Sequence, residues 1–357
     1  MHPFKLLGLD GMSPDFFQKF WHLIRSDVIN FVFHVLNNQS FEHNINFTHI
    51  VLIPKTKNPD HITQFRPISL CNVIYKLASK VLANRIRTSL PKVISESQSA
   101  FILGYLITDI VLLAHEFHHH MKTKPPSSTG LMSIKLDISK AFDRVEWVFI
   151  RHTMSALGFP PPFVDLIIKC VSTTSFSFLL NGMEFGHLTP SISSYLFIIC
   201  SEVFSCLLQD LQHCRKIHGI AISQTTNPIS HLFFADDTLL FGKITVEEAK
   251  YLCFAIRLYE KVSGQLVNLD KSGIIFNKDI NTVTATTIVN ILGFKKADSH
   301  GKYLGLPSVI GINKNEILGN IKDRIWQRIH CWNSNQFSKV GQKSLSNLFS
   351  KPSRHMP

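Results

Sequence analysis

The chain has no C-x-x-C pair. Its seven cysteines, Cys71, Cys170, Cys200, Cys206, Cys214, Cys253 and Cys331, are scattered over 357 residues. That spacing excludes the dense disulfide framework of a small secreted scaffold and leads to the expectation of a reduced, intracellular protein, in nucleus or cytoplasm. The amino terminus, MHPFKLLGLDGMSPDFFQ, lacks the basic flank and apolar run of a secretory signal. No segment reads as approaching the roughly 18 apolar residues of a membrane span, so no membrane partner is expected. There is no internal repeat. Acidic residues are also short, 25 against 37 lysines and arginines, which leaves a formal net charge of +12. Such a field favours polyanionic partners, nucleic acid foremost. A hydrophobic fraction of 45% with 11% aromatics excludes a disordered chain, and the length allows one to three domains.

The one linker-like stretch, Lys122 to Gly130 (KTKPPSSTG), carries paired prolines and small polar residues that oppose helix and strand. Upstream of it, Asn72 to Leu90 spaces Ile74, Leu77, Val81, Leu82 and Ile86 as an amphipathic helix surrounded by Lys76, Lys80, Arg85 and Arg87. Downstream, Leu131 to Asp137 reads as a strand. Phe176 to Leu180 reads as another, followed by Asn181-Gly182, a pair suited to a tight hairpin. A helix is expected from about Ser193 to Cys214. HLFFADDTLLFG (His231 to Gly242) then reads as a hairpin with Asp236 and Asp237 at its turn, and Thr245 with Glu248 as a capping box. A basic helix is expected from about Ile317 to Trp332. Hairpins mixed with helices, without regular βαβ repeats, indicate an α+β fold with helices layered on a sheet.

Two acidic centres lie in apolar settings: Asp137 in LMSIKLDISKAFDRVEW, and the pair Asp236-Asp237 in FFADDTLLF. Adjacent carboxylates on a hydrophobic hairpin repel one another and lose hydration, and a divalent cation is the obvious compensator. Hard oxygen ligands favour Mg²⁺, and two such ions suit phosphoryl transfer. From spacing alone, capping of a turn or helix by each aspartate is an equal alternative.

The stretch KLDISKAFDRVEW closely resembles the first catalytic motif of LINE-type (non-LTR) retrotransposon reverse transcriptases, and FADD is similar to their paired-aspartate hairpin, in the same order and at matching separation. The resemblance continues through FRPISLCNVIYKLASKVLANRIRTSLPKVISESQSAF (Phe65 to Phe101), which looks like the fingers of the plant members. It extends to SGQLVNLDKSGIIF (Ser263 to Phe276), KYLGLP (Lys302 to Pro307) and the opening LGLDGMSPDFFQKFWH. It implies a right-hand polymerase of α+β class. In that scheme 1–45 is an amino-terminal extension, 46–130 the fingers, 131–310 an antiparallel palm with helices, and 311–357 a truncated thumb. It further implies RNA-directed DNA polymerase activity, with RNA template, DNA primer and deoxynucleoside triphosphates as partners. Asp137 and Asp236 would hold two Mg²⁺ ions, Asp237 would support them and the Ile138 carbonyl would add a ligand. Phe142 matches the ring that shuts out the ribose 2′-hydroxyl, Lys271 the lysine near the incoming phosphate. Arg66 and Lys80 are candidates for contact with triphosphate or template, and Lys76, Arg85 and Arg87 for the template path.

The chain departs from that pattern in two places. Members carry P-S-R-G-x-R-Q-G-D-P-L-S-P before the Y-L-F-I-I-C-S-E helix, whereas here Thr189-Pro190-Ser191 runs straight into Ile192-Ser193-Ser194-Tyr195, as if R-G-x-R-Q-G-D-P had been removed in frame near 191–194. The carboxy terminus reads LSNLFSKPSRHMP where a thumb would continue, which fits a frameshifted tail. No endonuclease, zinc knuckle or ribonuclease H segment is expected to accompany it. Little or no polymerase activity is therefore expected. Two rivals accompany this reading: a catalytically dead remnant that still binds nucleic acid, and a zinc metalloprotease built on His115, Glu116 and His119 (H-E-x-x-H).

Overall fold

The computed structural model describes residues 8–38, 45–123, 130–139, 144–180, 183–188, 194–222, 226–277, 280–297, 302–304 and 306–307. Phe142, the helix expected at Ile317 to Trp332 and the tail beyond it lie outside the described residues. In chain order the elements are α1 (Pro14–Lys19), α2 (Trp21–Asn38), β1 (Thr48–Pro54), β2 (Phe65–Leu70), α3 (Val73–Val93), α4 (Ile107–Thr123), β3 (Leu131–Ser139), α5 (Trp147–Ala156), α6 (Pro161–Ser172), β4 (Phe176–Leu180) and β5 (Met183–Leu188). There follow α7 (Ser194–His213), β6 (His231–Phe234), β7 (Asp237–Lys243), α8 (Val246–Ser263), β8 (Leu266–Val267), β9 (Gly273–Phe276), α9 (Thr282–Leu292), β10 (Lys295–Lys296), β11 (Lys302–Tyr303) and β12 (Leu306–Pro307).

Two sheets organise the chain. One runs β2-β1-β4-β5, the other β10-β9-β3-β7-β6 with β8 added to the far end of β3. The pairings β9·β3, β3·β7 and β6·β7 are all antiparallel, so the centre of the second sheet is the antiparallel layer foreseen. Strand β3 shows why the sequence alternates. Met132, Ile134 and Leu136 are buried with Phe204, Leu208, Ala249, Leu252, Ile256 and Ile288 of α7, α8 and α9. Leu131 belongs to the opposite face, where α4 supplies Ile110, Ala114 and Phe117. In β7, Leu240 joins the first face while Leu239 and Phe241 join the α4 face. Because successive side chains of a strand alternate, Asp137 and Asp237 both take the parity of the α4 face.

Helix α7 ties the cores together: Leu196, Phe197, Ile198, Ile199 and Cys200 pack with α3, α5 and α6, whereas Phe204 and Leu208 pack under the second sheet. Its 20 residues have a mean hydropathy of 1.4 over the span-length window, so by length and composition α7 does reach the membrane-span range, contrary to the sequence expectation. Its apolar side chains serve the core; ten of its residues are buried.

Other expectations shift in detail. Helix α4 continues through Lys122 and Thr123, into the start of the expected linker. The β4–β5 hairpin, placed within the 131–310 segment, hydrogen-bonds instead to β1 of the first sheet, with Thr48 opposite Phe176. Thr245 caps α8 by accepting from the Glu248 N–H, but Glu248 does not complete a capping box: its carboxylate accepts from the His218 N–H at 2.8 Å and faces His218 Nδ1 at 3.3 Å. Among the described residues all six cysteines are free thiols.

Candidate active site

The β3·β7 ladder sets Asp137 directly opposite Asp237, and the β6·β7 ladder pairs Phe234 with Asp237. The hairpin turn is therefore Ala235-Asp236, and Asp237 is the first residue of β7 rather than part of the turn. Ala235 has φ +52, a left-handed conformation that disfavours an L side chain by roughly 1–2 kcal/mol. Asp137 and Asp237 are each somewhat more than a third exposed at the open end of the α4 face, and Asp236 is exposed in the adjoining turn.

Cations of the chain compensate this charge. Lys135, two residues before Asp137 and on the same face, brings Nζ to 3.7 Å from Asp237 Oδ1. Lys271 brings Nζ to 4.0 Å from Asp137 Oδ2. The loop after β8 places it there: Asn268 N–H donates to the Asp137 carbonyl at 2.7 Å, Ser272 N–H donates back to the Asn268 carbonyl at 2.9 Å, and Asp137 N–H donates to Ser272 Oγ at 3.0 Å. Burial pushes the Asp237 carboxyl above its ordinary value of 3.8; Lys135 opposes this, and Asp236 and Asp137 add to it.

Folding thus favours protonated Asp237. Its contribution is fully present below pH 3.8 and is lost as pH rises through the raised value, so near pH 7 the charge detracts from stability. Without metal, Asp237→Asn should raise Tm by roughly 1–3 °C at pH 7 and by less at pH 3.5, a small change because the side chain is partly solvated. Thermal melts at both pH values check this; a Tm lowered at pH 7 would mean that the Lys135 ion pair outweighs desolvation.

The donor set fits a hard divalent cation, since every candidate ligand is a carboxylate or carbonyl oxygen. Ile138 stands opposite Val267 in the β3·β8 ladder, and the Val267 N–H donates to Glu260 Oε1 at 2.7 Å rather than to the Ile138 carbonyl. Among the described residues no three His, Cys, Asp or Glu side chains are converged as a finished metal cluster, so the carboxylates are neighbours that a cation would draw together. The same finding bears on H-E-x-x-H: His115 is half-buried on α4, with its pKa lowered by desolvation, Glu116 and His119 are exposed, and no third ligand joins them.

Among the described residues, Lys271 is the one predicted nucleotide contact that the structure brings to the aspartates. Arg66 is exposed on β2 of the first sheet and Lys80 is exposed on α3. Lys80, with Lys76, Tyr75, Phe101 and Tyr195, lines a cleft of about 490 Å³ between α3 and the first turn of α7; none of the aspartates lines it. Sequence reasoning missed Lys135, although the K-x-D spacing on a strand signals a shared face. It also missed Gln98, whose buried amide touches the turn itself, at 3.3 Å from Ala235 N.

The family model described as reverse transcriptase (RNA-dependent DNA polymerase) matches residues 53–307, well over half of the chain and inclusive of all three aspartates. The chain belongs to the reverse transcriptase family. This reverse transcriptase domain is similar to the transposon TX1 uncharacterized 149 kDa protein of Xenopus laevis, at 24% identity over 96% of this chain and 28% of that protein. It is also similar to the retrovirus-related Pol polyprotein from type-2 retrotransposable element R2DM of Drosophila melanogaster, at 27% identity over 66% of this chain and 22% of that one. The domain is thus of the non-LTR retrotransposon kind and spans roughly a quarter of the length of these relatives. The apo telomerase of Candida tropicalis, truncated from its C-terminal domain, superposes with a TM-score of 0.44 at 14% identity, over 74% of this chain and 56% of that one. The metalloprotease reading finds no support and is withdrawn.

Proposed function

We propose that this domain is the polymerase part of a longer retrotransposon protein, transferring deoxynucleotides to a DNA primer under direction of an RNA template, and that in the present chain the activity is largely lost. In the reaction the primer 3′-oxygen forms a bond to the α-phosphorus of a deoxynucleoside triphosphate, the bond from that phosphorus to the bridging oxygen breaks, and pyrophosphate leaves. What carries the reading is the register that sets Asp137 opposite Asp237 with Asp236 in the adjoining turn, inside the family's matched span.

Asp137 and Asp236 would hold two Mg²⁺ ions, with Asp237 and the Ile138 carbonyl in support. Ions so bound stabilise the attacking and leaving oxygens of an in-line displacement. The chain's own groups do the rest. Lys271, 4.0 Å from Asp137, presents a cation where triphosphate charge would gather, and Lys135 restrains Asp237. Phe142 would exclude a ribose 2′-hydroxyl, and Arg66 and Lys80 would meet triphosphate or template. We assign 46–130 with the β4–β5 hairpin to the fingers and the remainder of 131–310 to the palm. Residues 1–45 would be an extension and 311–357 a shortened thumb.

Mn²⁺ titration followed by electron paramagnetic resonance, run beside RNA binding at two salt concentrations, tests the site without requiring turnover. Asp236→Ala should weaken Mn²⁺ binding at least about tenfold while salt-sensitive RNA binding persists, since phosphate contacts come from lysines and arginines elsewhere. Unchanged Mn²⁺ affinity would remove Asp236 from the ligand set.

A further inference from the structure

Beneath the Ala235-Asp236 turn lies a buried polar side chain to which the reaction gives no role. Gln98 is completely buried in the segment after α3. Its Oε1 accepts two backbone N–H groups, from Ala100 at 3.0 Å and from Ala235 at 3.3 Å. Its Nε2 donates to Ser201 Oγ at 3.3 Å, and the Ser201 hydroxyl donates onward to the Ile198 carbonyl at 2.9 Å. Because that hydroxyl hydrogen is already used, Ser201 can only accept from Gln98, which fixes the amide with its oxygen toward Ala235. The adjoining backbone clamps the same strand: Phe233 N–H donates to the Ser97 carbonyl at 2.7 Å, and Ser99 N–H donates to the Phe233 carbonyl at 3.2 Å.

We infer that Gln98 is a positioning residue, holding Ala235 in its left-handed conformation and thereby fixing where the Asp236 carboxylate stands relative to Asp137. The inference rests on the reading of Asp236 as a metal ligand; the bracing of the turn does not. Three features require the brace. Ala235 is a buried L residue at positive φ, where glycine would be the unstrained choice. Its N–H is enclosed and must find an acceptor. The neighbouring Asp236 is exposed and carries no hydrogen bond of its own among the described residues, so its direction follows from the backbone of the turn. Withdrawing the Gln98 oxygen leaves the N–H groups of Ala100 and of the strained Ala235 unpaired, and relaxation of Ala235 toward negative φ swings Asp236 away from Asp137.

The test uses the full chain and two readouts, amide hydrogen exchange at Ala235 and Mn²⁺ affinity by electron paramagnetic resonance. Gln98→Met keeps the volume and removes the acceptor. It should speed exchange at Ala235 and weaken Mn²⁺ binding, each about tenfold, with far-UV circular dichroism unchanged. Ala235→Gly added to Gln98→Met should restore most of the Mn²⁺ affinity, because glycine holds the turn without the brace; a merely structural defect would not be rescued this way. Ser201→Ala, which frees the amide to rotate but leaves the acceptor present, should move both readouts less and in the same direction, and serves if Gln98→Met does not fold. Native exchange at Ala235 in both variants overturns the inference. Faster exchange with native Mn²⁺ affinity, together with native affinity in Asp236→Ala, overturns the assignment of Asp236 as a ligand and the positioning role that rests on it.

Discussion

Primer extension on an RNA template with Mg²⁺ should yield next to no product from the native chain, and at least about a hundredfold more once R-G-I-R-Q-G-D-P is inserted after Ser191. The expectation starts from the short passage between β5, ending at Leu188, and α7, starting at Ser194. Five residues join them, where the family pattern has a glycine-rich turn that meets nucleotide and template. The surroundings of the gap are otherwise suited to such a turn. Tyr195 in the first turn of α7 packs edge-on to Phe101 at 6.1 Å, and both line the cleft with Lys76 and Lys80. A turn restored at this point would reach a cleft that already presents two lysines. Misplacement of a reacting group by about an ångström can lower a rate by about a hundredfold, so loss of a nucleotide-contacting loop should exceed that. Adding Asp236→Ala to the restored chain should return product to background. Product from the native chain that Asp236→Ala abolishes would overturn the claim of inactivity; silence even after restoration would transfer the defect from the loop to the thumb or to folding.

How far the sequence foretold this site depended on whether the cause was local. The alternation in LMSIKLD was enough to predict a strand, and parity places Asp137 and Asp237 on one face. FFADDTLLF announced a hairpin. Apolar arms on both sides of an acidic centre led to a turn expected at Asp236-Asp237, whereas Ala235 takes the left-handed conformation and its N–H goes to Gln98, 137 residues earlier. The Asn181-Gly182 signal foretold the β4–β5 pairing but could not name β1 as the next strand, since a parallel partner is chosen by tertiary packing. Thr245 capped α8 as its local pattern required. Glu248, three residues on, went to His218 because that loop folds back over the helix start and offers an N–H at 2.8 Å. Helix α4 includes Lys122 and Thr123, further than a composition window suggested, because proline restricts only the residue before it and the prolines of the sequence stand at 125 and 126.

Phe204→Ala should lower stability by about 3–5 kcal/mol, the range for truncating a fully packed aromatic. Phe204 lies on α7 where the helix passes under the second sheet, and it is buried. Its ring stacks between Phe233, at 5.6 Å, and Tyr259, at 4.8 Å, each 17° from parallel. Phe233 is the strand residue whose N–H and C=O are gripped by Ser97 and Ser99, two positions before the turn that carries Asp236. Tyr259 is anchored from its other end by donating to Gln265 Oε1 at 2.6 Å, so neither neighbour can close the gap without breaking a polar contact. The cavity should therefore persist, and a domain of about 5–15 kcal/mol total stability would lose a large part of it. Thermal unfolding should fall by roughly 4–7 °C, while Val283→Ala, at a position 70% exposed on α9, should leave it unchanged. A fall of under about 2 °C would mean that the strand leading to Asp236 is held by its backbone clamp alone. A large fall at Phe204, set beside an Asp236→Ala variant that melts like the native chain yet loses Mn²⁺, would show that scaffold and carboxylates fail separately, as expected if sequence decay has removed parts around a site whose core is still intact.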